Sequence, residues 1–215
     1  MRFPVSAALL SFTLALASLP EAHADTCAPT PRQTEGPYYP PPAQREAQVD
    51  MDTDLTHIEG QSGHAKGQVI EVTGQVRDRQ CRPVVGAVVE LWQASENGRY
   101  DHPGDRDNPA PLDPNFQYWA KTTTNQDGRY RFTTIKPGAY QAGPRWIRPP
   151  HLHFKVSHPA FGTFITQMYF AGDRDQDEDR ILQDVPSHAR DRVIMTPEPS
   201  SRTGVQQVRF DVTLP

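Results

Sequence analysis

Basic clusters, cysteines, long helical patterns and internal repeats are scarce or missing in this 215-residue sequence. Lys and Arg total 22 against 26 Asp and Glu, a formal net charge of -4. A mildly acidic chain without basic clusters argues against nucleic acid or an anionic membrane as a partner. The lack of long amphipathic helices between the short apolar runs argues against a sheet built from βαβ units.

The first 24 residues predict a cleaved secretory signal peptide. Arg2 is followed by an apolar run from Val5 to Leu19 and by "AHA", which ends at Ala24, so that Asp25 becomes the new N-terminus. The run is too short to span a bilayer, and no twin-arginine pair precedes it. We therefore expect a periplasmic or extracellular product that is exported unfolded and has no membrane association after cleavage.

Two cysteines remain in the predicted mature chain, Cys27 and Cys81. In an oxidising compartment an even count favours one disulfide, which would tie the N-terminal segment to the body of the protein. Two free buried thiols remain the alternative.

Residues 25–66 predict an extended N-terminal arm with loops. Within this segment "TPRQTEGPYYPPP" has five prolines, which favour extended or turn backbone and argue against a helix. Residues 67–215 predict one β domain, because short apolar runs there alternate with turn residues.

Six runs carry the strand pattern, and the one helical candidate is short, around residues 176–185. The runs are "QVIEVTGQVRD", "RPVVGAVVELWQA", "NQDGRYRFTTI", "HLHFKVS", "FGTFITQMYF" and "VQQVRFDVTL". Together they predict an all-β protein, an antiparallel β-sandwich. The long segment 96–120, rich in Pro, Asp, Asn and Gly but also in aromatic residues, indicates a functional loop.

His151 and His153 would lie side by side on one face of a strand, because side chains two residues apart point the same way. A metal ion is the most economical reason for such a pair. The other histidines lie in polar segments without ligand-like spacing and are predicted to be exposed; they are His57, His64, His102, His158 and His188. No acidic residue lies between Arg129 and Ser157, which disfavours an iron(II) site completed by a carboxylate.

Tyrosines are the other available donors. Tyr100 closes "ENGRY" and Tyr140 closes "IKPGAY", just before the histidine strand. A phenolate is a hard anionic donor, so two phenolates with two imidazoles favour iron(III). Each residue alone has a simpler interpretation: a core or loop tyrosine, or a solvent-facing histidine on an edge strand.

Several motifs in order resemble the intradiol ring-cleavage dioxygenases, especially the iron-binding subunit of protocatechuate dioxygenases. They are "VTGQVRDRQCRPVVGAVVELWQASENGRYDH", "DPNF", "DGRYRFTTIKPGAY", "RPPHLHF" and "TQMYFAGD". The resemblance implies a prealbumin-like β-sandwich with long active-site loops. It also implies cleavage of a catechol-type diol by dioxygen to a cis,cis-muconate-type diacid.

The resemblance further implies that a nonheme ferric ion is bound by Tyr100, Tyr140, His151 and His153. Tyr140 would be the axial ligand that leaves the metal and accepts a substrate proton. Arg148 and Gln167 would lie beside the substrate ring, where a guanidinium stabilises anionic character. The arm motif "QTEGPYYP" makes Thr34, Gly36 and Pro37 candidate substrate-binding residues, a segment that the partner subunit supplies in protocatechuate dioxygenases.

The family pattern is not matched at Gln117–Ala120, at Gln141–Ala142 and at Pro150, and the first two departures leave the catechol unspecified. Because the arm belongs to the same chain, we expect a homo-oligomer or a monomer that needs no second subunit type. The acidic run "GDRDQDEDR" lacks the glycine of a calcium loop and predicts a solvated surface loop.

Two rival functions stay open at this point. Accessory domains of exported proteins share the sandwich pattern, so the chain could be a non-catalytic prealbumin-like binding module. A secreted zinc or copper protein that uses His151 and His153 is the other.

Overall fold

The structure, a computed structural model, describes residues 26–48 and 50–215. The predicted signal peptide and the new N-terminus at Asp25 lie outside the described residues. The helices are short: α1 spans Pro42–Ala47 and α2 spans Arg180–Gln183. Three 3-10 turns of helix occupy Pro103–Asp105, Gln176–Glu178 and Ser187–Arg192.

Strands form most of the regular structure, as predicted. In chain order they are β1 Val69–Arg77, β2 Val88–Trp92, β3 Trp119–Thr123, β4 Arg129–Ile135, β5 Tyr140–Gly143, β6 Trp146–Arg148, β7 His151–His158, β8 Gly162–Phe170, β9 Ile194–Met195, β10 Glu198–Pro199, β11 Gln206–Arg209 and β12 Val212–Thr213. Strands β1, β4, β10, β11 and β12 form one sheet, strands β3, β2, β7, β8 and β9 a second, and β5 pairs with β6 in a separate hairpin.

The two larger sheets enclose one core. Ile70 and Phe132 of the first sheet belong to the same buried cluster as Leu91, Phe154 and Met168 of the second. Along β7 the even-numbered residues from Leu152 to Val156 enter this core, which leaves the odd-numbered positions on the opposite face. That alternation positions the two histidines away from the hydrophobic core.

The prediction of a wholly antiparallel arrangement was wrong in part. β1 runs parallel to β11 and to β12, and β8 runs parallel to β9. Parallel neighbours need a long connection between them. Residues 171–193 connect β8 to β9, and strands β2 to β10 lie along the chain between β1 and its parallel partners β11 and β12.

The segment 25–66, predicted as an extended arm with loops, contains one short helix that was not predicted. The helix α1 begins at Pro42, the last proline of the proline-rich motif, because proline is tolerated in the first turn of a helix. Further along, Leu55 is fully buried in the core, and its backbone N–H donates to the carbonyl of Thr133 on β4. The segment therefore contributes to the packing of the β domain.

The cysteines lie where the arm meets the body. A disulfide joins Cys27 to Cys81 with their Cα atoms 5.2 Å apart. Within the described part of the chain, no helix is long and apolar enough to cross a bilayer.

A side chain at Gly74, in the middle of β1, should destabilise the protein. A Cβ atom there would collide with the carbonyl oxygen of Phe210 and lie 2.7 Å from the ring of Tyr130. We expect Gly74→Ala to lower the free energy of unfolding, measured by urea denaturation, by about 2–3 kcal/mol. The control is Gly143→Ala, whose nearest neighbour would be an atom of Trp146 at 3.9 Å. Equal losses in the two variants would contradict the steric explanation.

Candidate metal centre

Cross-strand pairing brings the residues of the centre together. His153 of β7 is opposite Trp92 of β2 on one side and Gln167 of β8 on the other. His151 is opposite Tyr169 of β8. Residues opposite one another on neighbouring strands share a face. All five side chains are buried on the face of the sheet turned away from the core.

Tyr100 and Tyr140 reach this face from different parts of the chain. The backbone N–H of Tyr100 donates to the buried carboxylate of Asp105 at 2.7 Å, which fixes the loop at that residue. Tyr140 begins β5 and pairs directly with Arg148 of β6, so the hairpin carries both to one place. The Tyr100 and Tyr140 rings are perpendicular, with centroids 5.5 Å apart.

Three donor atoms converge on one point. The Nε2 atoms of His151 and His153 lie 3.1 Å apart, and the hydroxyl of Tyr100 lies 3.4 Å from the first and 3.2 Å from the second. Donors about 2.0–2.1 Å from a shared ion, at angles of about 90–110°, would be separated by about 2.8–3.4 Å. The spacing therefore fits a metal ion, and Tyr140, with its ring centroid 5.5 Å from that of Tyr100, is the remaining donor of the predicted set.

The hydrogen bonding of the histidines leaves a lone pair at this point. Nδ1 of His151 lies 2.6 Å from the carbonyl oxygen of Pro149, which can only accept, so Nδ1 carries the hydrogen and Nε2 the lone pair. The ring of His153 stacks on Trp92 with centroids 4.7 Å apart, and its Nδ1 is buried without a hydrogen-bond partner. Both rings are held rigidly.

Burial sets the charge state of the donors. Burial, helped by the positive charge of Arg148, holds the pKa of both histidines well below its usual value, so the imidazoles are neutral. Burial also raises the pKa of the Tyr100 hydroxyl well above its ordinary value and raises that of the Tyr140 hydroxyl, while the positive charge of Arg148 opposes the rise at both. Without a cation both phenols keep their protons, so a metal ion would bind as they are released.

Arg148 is the one strong positive charge in contact with the centre among the described residues, and it is fully enclosed. Its Nη2 donates to Oε1 of Gln167 at 2.7 Å and to the hydroxyl of Tyr169 at 3.2 Å. Its Nε donates to Asp179 at 3.0 Å. The structure thus joins Arg148 and Gln167, the two residues predicted to lie beside a substrate.

The prediction of a solvated acidic loop was wrong for Asp179. Asp177 and Glu178 are exposed, but Asp179 has 0% of its surface exposed and forms an ion pair with Arg148. The chain turns inward there because the Asp179 side chain caps α2 by accepting from the N–H of Leu182, which is itself buried. The predicted short helix is present as the 3-10 turn followed by α2.

The arm residues predicted to bind substrate lie beside the centre to different degrees. The carbonyl of Thr34 accepts a hydrogen bond of 2.8 Å from Nε2 of Gln167. Gly36, at φ +74°, lies against the His153 ring so closely that a Cβ atom would be 3.2 Å from Cε1. Pro37 is exposed and precedes Tyr38, whose ring lies 4.6 Å from that of Tyr100.

Sequence reasoning missed five buried or half-buried neighbours of the centre, namely Tyr38, Trp92, Asp105, Tyr169 and Asp179. Tyr169 lies two residues after Gln167 on one strand, so the alternation of β8 was a usable signal. Tyr118 and Trp119, which depart from the family pattern, lie in different places. Tyr118 packs in the main core, whereas Trp119 belongs to the aromatic cluster around Tyr100 and Tyr140.

The remaining histidines are not part of the centre. His64 and His188 are exposed as predicted, while His57, His102 and His158 are half-buried, because each packs against or bonds to its own loop. Among the described residues no group of three or more His, Cys, Asp or Glu side chains can hold a metal. Any metal at His151 and His153 therefore needs the tyrosines.

Comparison with known proteins finds a matching family model and named relatives over most of the chain. A family model described as "Dioxygenase" matches residues 34–215. The protocatechuate 3,4-dioxygenase beta chain of Burkholderia cepacia is 47% identical over 147 residues, which cover 67% of this chain and 62% of that protein. Catechol 1,2-dioxygenase 2 of Acinetobacter lwoffii is 31% identical over 169 residues, 71% of this chain and 55% of that protein. The chain thus spans less than two thirds of these relatives.

Solved structures agree as well. The dioxygenase domain of a dioxygenase and carbohydrate-binding fusion protein from Streptomyces sp. SirexAA-E superposes with a TM-score of 0.63 at 26% identity, covering 87% of this chain and 98% of that domain. An intradiol ring-cleavage dioxygenase from Tetranychus urticae superposes with a TM-score of 0.67 at 21% identity, covering 87% and 95%, which shows a shared fold.

The buried histidines should make the metal-free protein sensitive to acid. Their pKa values are lowered on folding, so the unfolded chain binds protons first as the pH falls below about 6.5, the usual pKa of histidine. Below that pH, each histidine should lower the free energy of unfolding by up to about 1.4 kcal/mol for each unit by which the pH falls, and above it there should be no loss. Urea denaturation between pH 7 and 5 should show that the free energy of unfolding falls less steeply with pH in the double variant His151→Gln/His153→Gln than in the wild-type protein. The control is His188→Gln, which changes an exposed histidine outside the centre and should keep the wild-type slope. Identical slopes in all three proteins would contradict the assignment.

A methyl group at Gly36 should disturb the centre through His153. Gly36 and Gly60 both have positive φ, at +74° and +83°, but a Cβ at Gly60 would meet nothing within 4 Å. Both alanine variants therefore carry a similar backbone strain of about 1–2 kcal/mol. Only Gly36→Ala should weaken ferric ion binding, by roughly tenfold, in a titration against a competing chelator. Equal affinities in the two variants would remove Gly36 from the wall of the centre.

Proposed function

This chain belongs to the intradiol ring-cleavage dioxygenase family, and on that premise we propose that it uses a nonheme ferric ion and dioxygen to cleave a catechol-type diol. The expected product is a cis,cis-muconate-type diacid, from cleavage between the two hydroxylated carbons. The observation that carries the proposal is the convergence of Tyr100, His151 and His153 within 3.4 Å, with the Tyr140 ring centroid 5.5 Å from that of Tyr100.

The donor set favours ferric iron over the alternatives. Two phenol oxygens offer two negative charges once deprotonated, and hard anionic donors stabilise the trivalent state. When bound, the ion would supply the Lewis acid that holds the deprotonated diol and opens it to dioxygen. The four side chains Tyr100, Tyr140, His151 and His153 are the residues that would hold it.

Tyr140 is suited to accept a proton from the substrate. Tyr140 pairs with Arg148 across the β5–β6 hairpin, its ring centroid lies 5.5 Å from that of Tyr100, and burial raises the pKa of its hydroxyl. A phenolate at Tyr140 would be a strong base, since the buried site favours the protonated form. We assign the proton of one substrate hydroxyl to Oη of Tyr140.

Arg148 and Gln167 are assigned to the substrate ring. The guanidinium has little freedom to move, because Gln167, Tyr169 and Asp179 accept its hydrogen bonds. A fixed cation stabilises negative charge that develops on the diol without reorganising during the reaction. Tyr38 and Trp92 provide aromatic walls beside Tyr100 and His153, respectively, which limits the access of water.

The named activities of the relatives set the substrate class. Relatives are named for protocatechuate, catechol, chlorocatechol and hydroxyquinol, which share a pair of adjacent ring hydroxyls. The resemblance places the substituent-reading residues in loops where this chain departs from the family, at Gln141–Ala142 among others. We therefore propose a catechol-type diol as the class.

The rival functions are less well supported. A non-catalytic binding module has no need for a buried cation beside two tyrosines and two histidines, which is expensive to fold. A zinc or copper protein would leave the two tyrosines without a role. A finer description of the fold as a prealbumin-like sandwich is proposed on the family resemblance.

Export of the protein is proposed on sequence features. The signal-like residues 1–24 and the Cys27–Cys81 disulfide are typical of periplasmic or extracellular proteins. We further propose that the chain works as a monomer or homo-oligomer without a second subunit type, because its own arm reaches the centre.

Spectroscopy and oxygen uptake test the function together. The iron-loaded protein should show a broad visible tyrosinate band that shifts when a catechol is added, and it should consume oxygen with at least one catechol of a panel. Tyr100→Phe should weaken and shift the band, since Tyr140 remains as a phenolate ligand, and it should lower turnover by more than the roughly hundredfold lost when a residue that only orients a ligand is removed. Tyr130→Phe is the control, since that buried tyrosine lies in the main core. Wild-type protein that binds iron without a visible band would refute the proposal.

A further inference from the structure

The buried charge of Arg148 requires a partner. Only 2% of its surface is exposed, and it lies among neutral groups of the centre. An isolated buried cation is strongly unfavourable unless a counter-charge and hydrogen bonds compensate for its lost hydration. The identity and geometry of that counter-charge therefore decide where the guanidinium can lie.

Asp179 is this partner, and four donors fix its carboxylate. Oδ1 accepts from Nε of Arg148 at 3.0 Å and from Nε1 of Trp146 at 3.2 Å. Oδ2 accepts from Nη2 of Arg148 at 3.3 Å and from the backbone N–H of Leu182 at 3.3 Å. Two contacts to one guanidinium define its plane as well as its position.

On the side away from Asp179, Arg148 contacts two residues that the arm holds in place. Nη2 donates to Oε1 of Gln167, and the Gln167 amide is oriented because its Nε2 donates to the carbonyl of Thr34. The hydroxyl of Tyr169 accepts from Nη2 and donates to Gln33 of the arm. Arg148 is consequently held between the arm and the segment that precedes α2, and it pairs with Tyr140 across the β5–β6 hairpin.

We propose that Asp179 is a positioning residue of the centre: it holds the guanidinium of Arg148 in the plane from which Arg148 meets Tyr140 and the bound diol. This inference rests on the proposed function and adds a residue to it. Asp179 does not touch the substrate in this assignment and acts through Arg148. The cap of α2 links the same carboxylate to the surface loop, so one side chain sets both the helix and the arginine.

Asp179→Asn separates the charge from the shape. Asparagine keeps the size of the side chain, an oxygen acceptor and the ability to cap a helix, but it removes the counter-charge. We expect kcat with a catechol to fall by roughly tenfold to a hundredfold while iron content and the visible band are retained. Asp177→Asn, which changes an exposed aspartate of the same segment, is the matched control and should keep the wild-type kcat.

A double-mutant cycle with Arg148→Gln distinguishes positioning from a structural role. If Asp179 acts through Arg148, adding Asp179→Asn to Arg148→Gln should cause no further loss of kcat. The same addition should raise the thermal midpoint of the metal-free protein, because Arg148→Gln alone leaves a buried carboxylate without its partner. This stability readout does not depend on turnover.

The outcomes separate the two proposals. Losses of kcat that multiply across the cycle, or a wild-type kcat in Asp179→Asn, would overturn the positioning role. If none of the catechols tested supports oxygen uptake by the iron-loaded wild-type protein, the proposed function itself would be overturned. That outcome does not depend on the thermal midpoints of the Asp179 and Arg148 variants.

Discussion

The convergence of lone pairs in a buried place is the constraint on which the rest of this structure depends. Two imidazole nitrogens and a phenol oxygen lie 3.1–3.4 Å apart, and the His151 tautomer directs a lone pair to that point. Neutral donors that face one another in the interior lose their hydration and cannot all be satisfied by one phenol proton. A cation between them compensates for this loss, which is why the arrangement favours metal binding over simple packing.

A cation-binding centre beside a buried arginine poses an electrostatic problem. Arg148 disfavours protonation of both histidines, which helps to keep them as neutral ligands, but it also repels a metal ion. The carboxylate of Asp179 offsets that repulsion while leaving the guanidinium aimed at Tyr140. The two tyrosines, once deprotonated, would add the negative charge that the proposed trivalent ion needs. The positive charge of Arg148 and the negative charges of Asp179 and the deprotonated tyrosines therefore have to be considered together.

How much of the centre could be predicted from the sequence depends on how far apart the interacting residues lie along the chain. The His151 and His153 pair was visible because a strand repeats every two residues. Tyr100 and Tyr140 are 51 and 11 residues away from His151 along the chain, and resemblance to a family was needed to assign them. Asp179 could not be assigned, because its acidic neighbours are exposed and only tertiary packing turns this one inward. The parallel pairing of β1 with β11 and β12 was hidden for the same reason, since no local pattern reports which strands meet.

The arm connects the centre to the Cys27–Cys81 disulfide. Gln33 and Thr34 lie six and seven residues beyond Cys27, and they bond to Tyr169 and Gln167, the two β8 residues that face Arg148. Six residues of extended chain reach only about 20 Å, so the disulfide restricts these arm residues to a small region of the body. A short tether raises the effective concentration of the arm at its binding site without adding any contact there. The covalent link therefore favours a centre assembled within one chain, and the ordering of Gln167, and through it Arg148, depends on a bond at the far end of the arm.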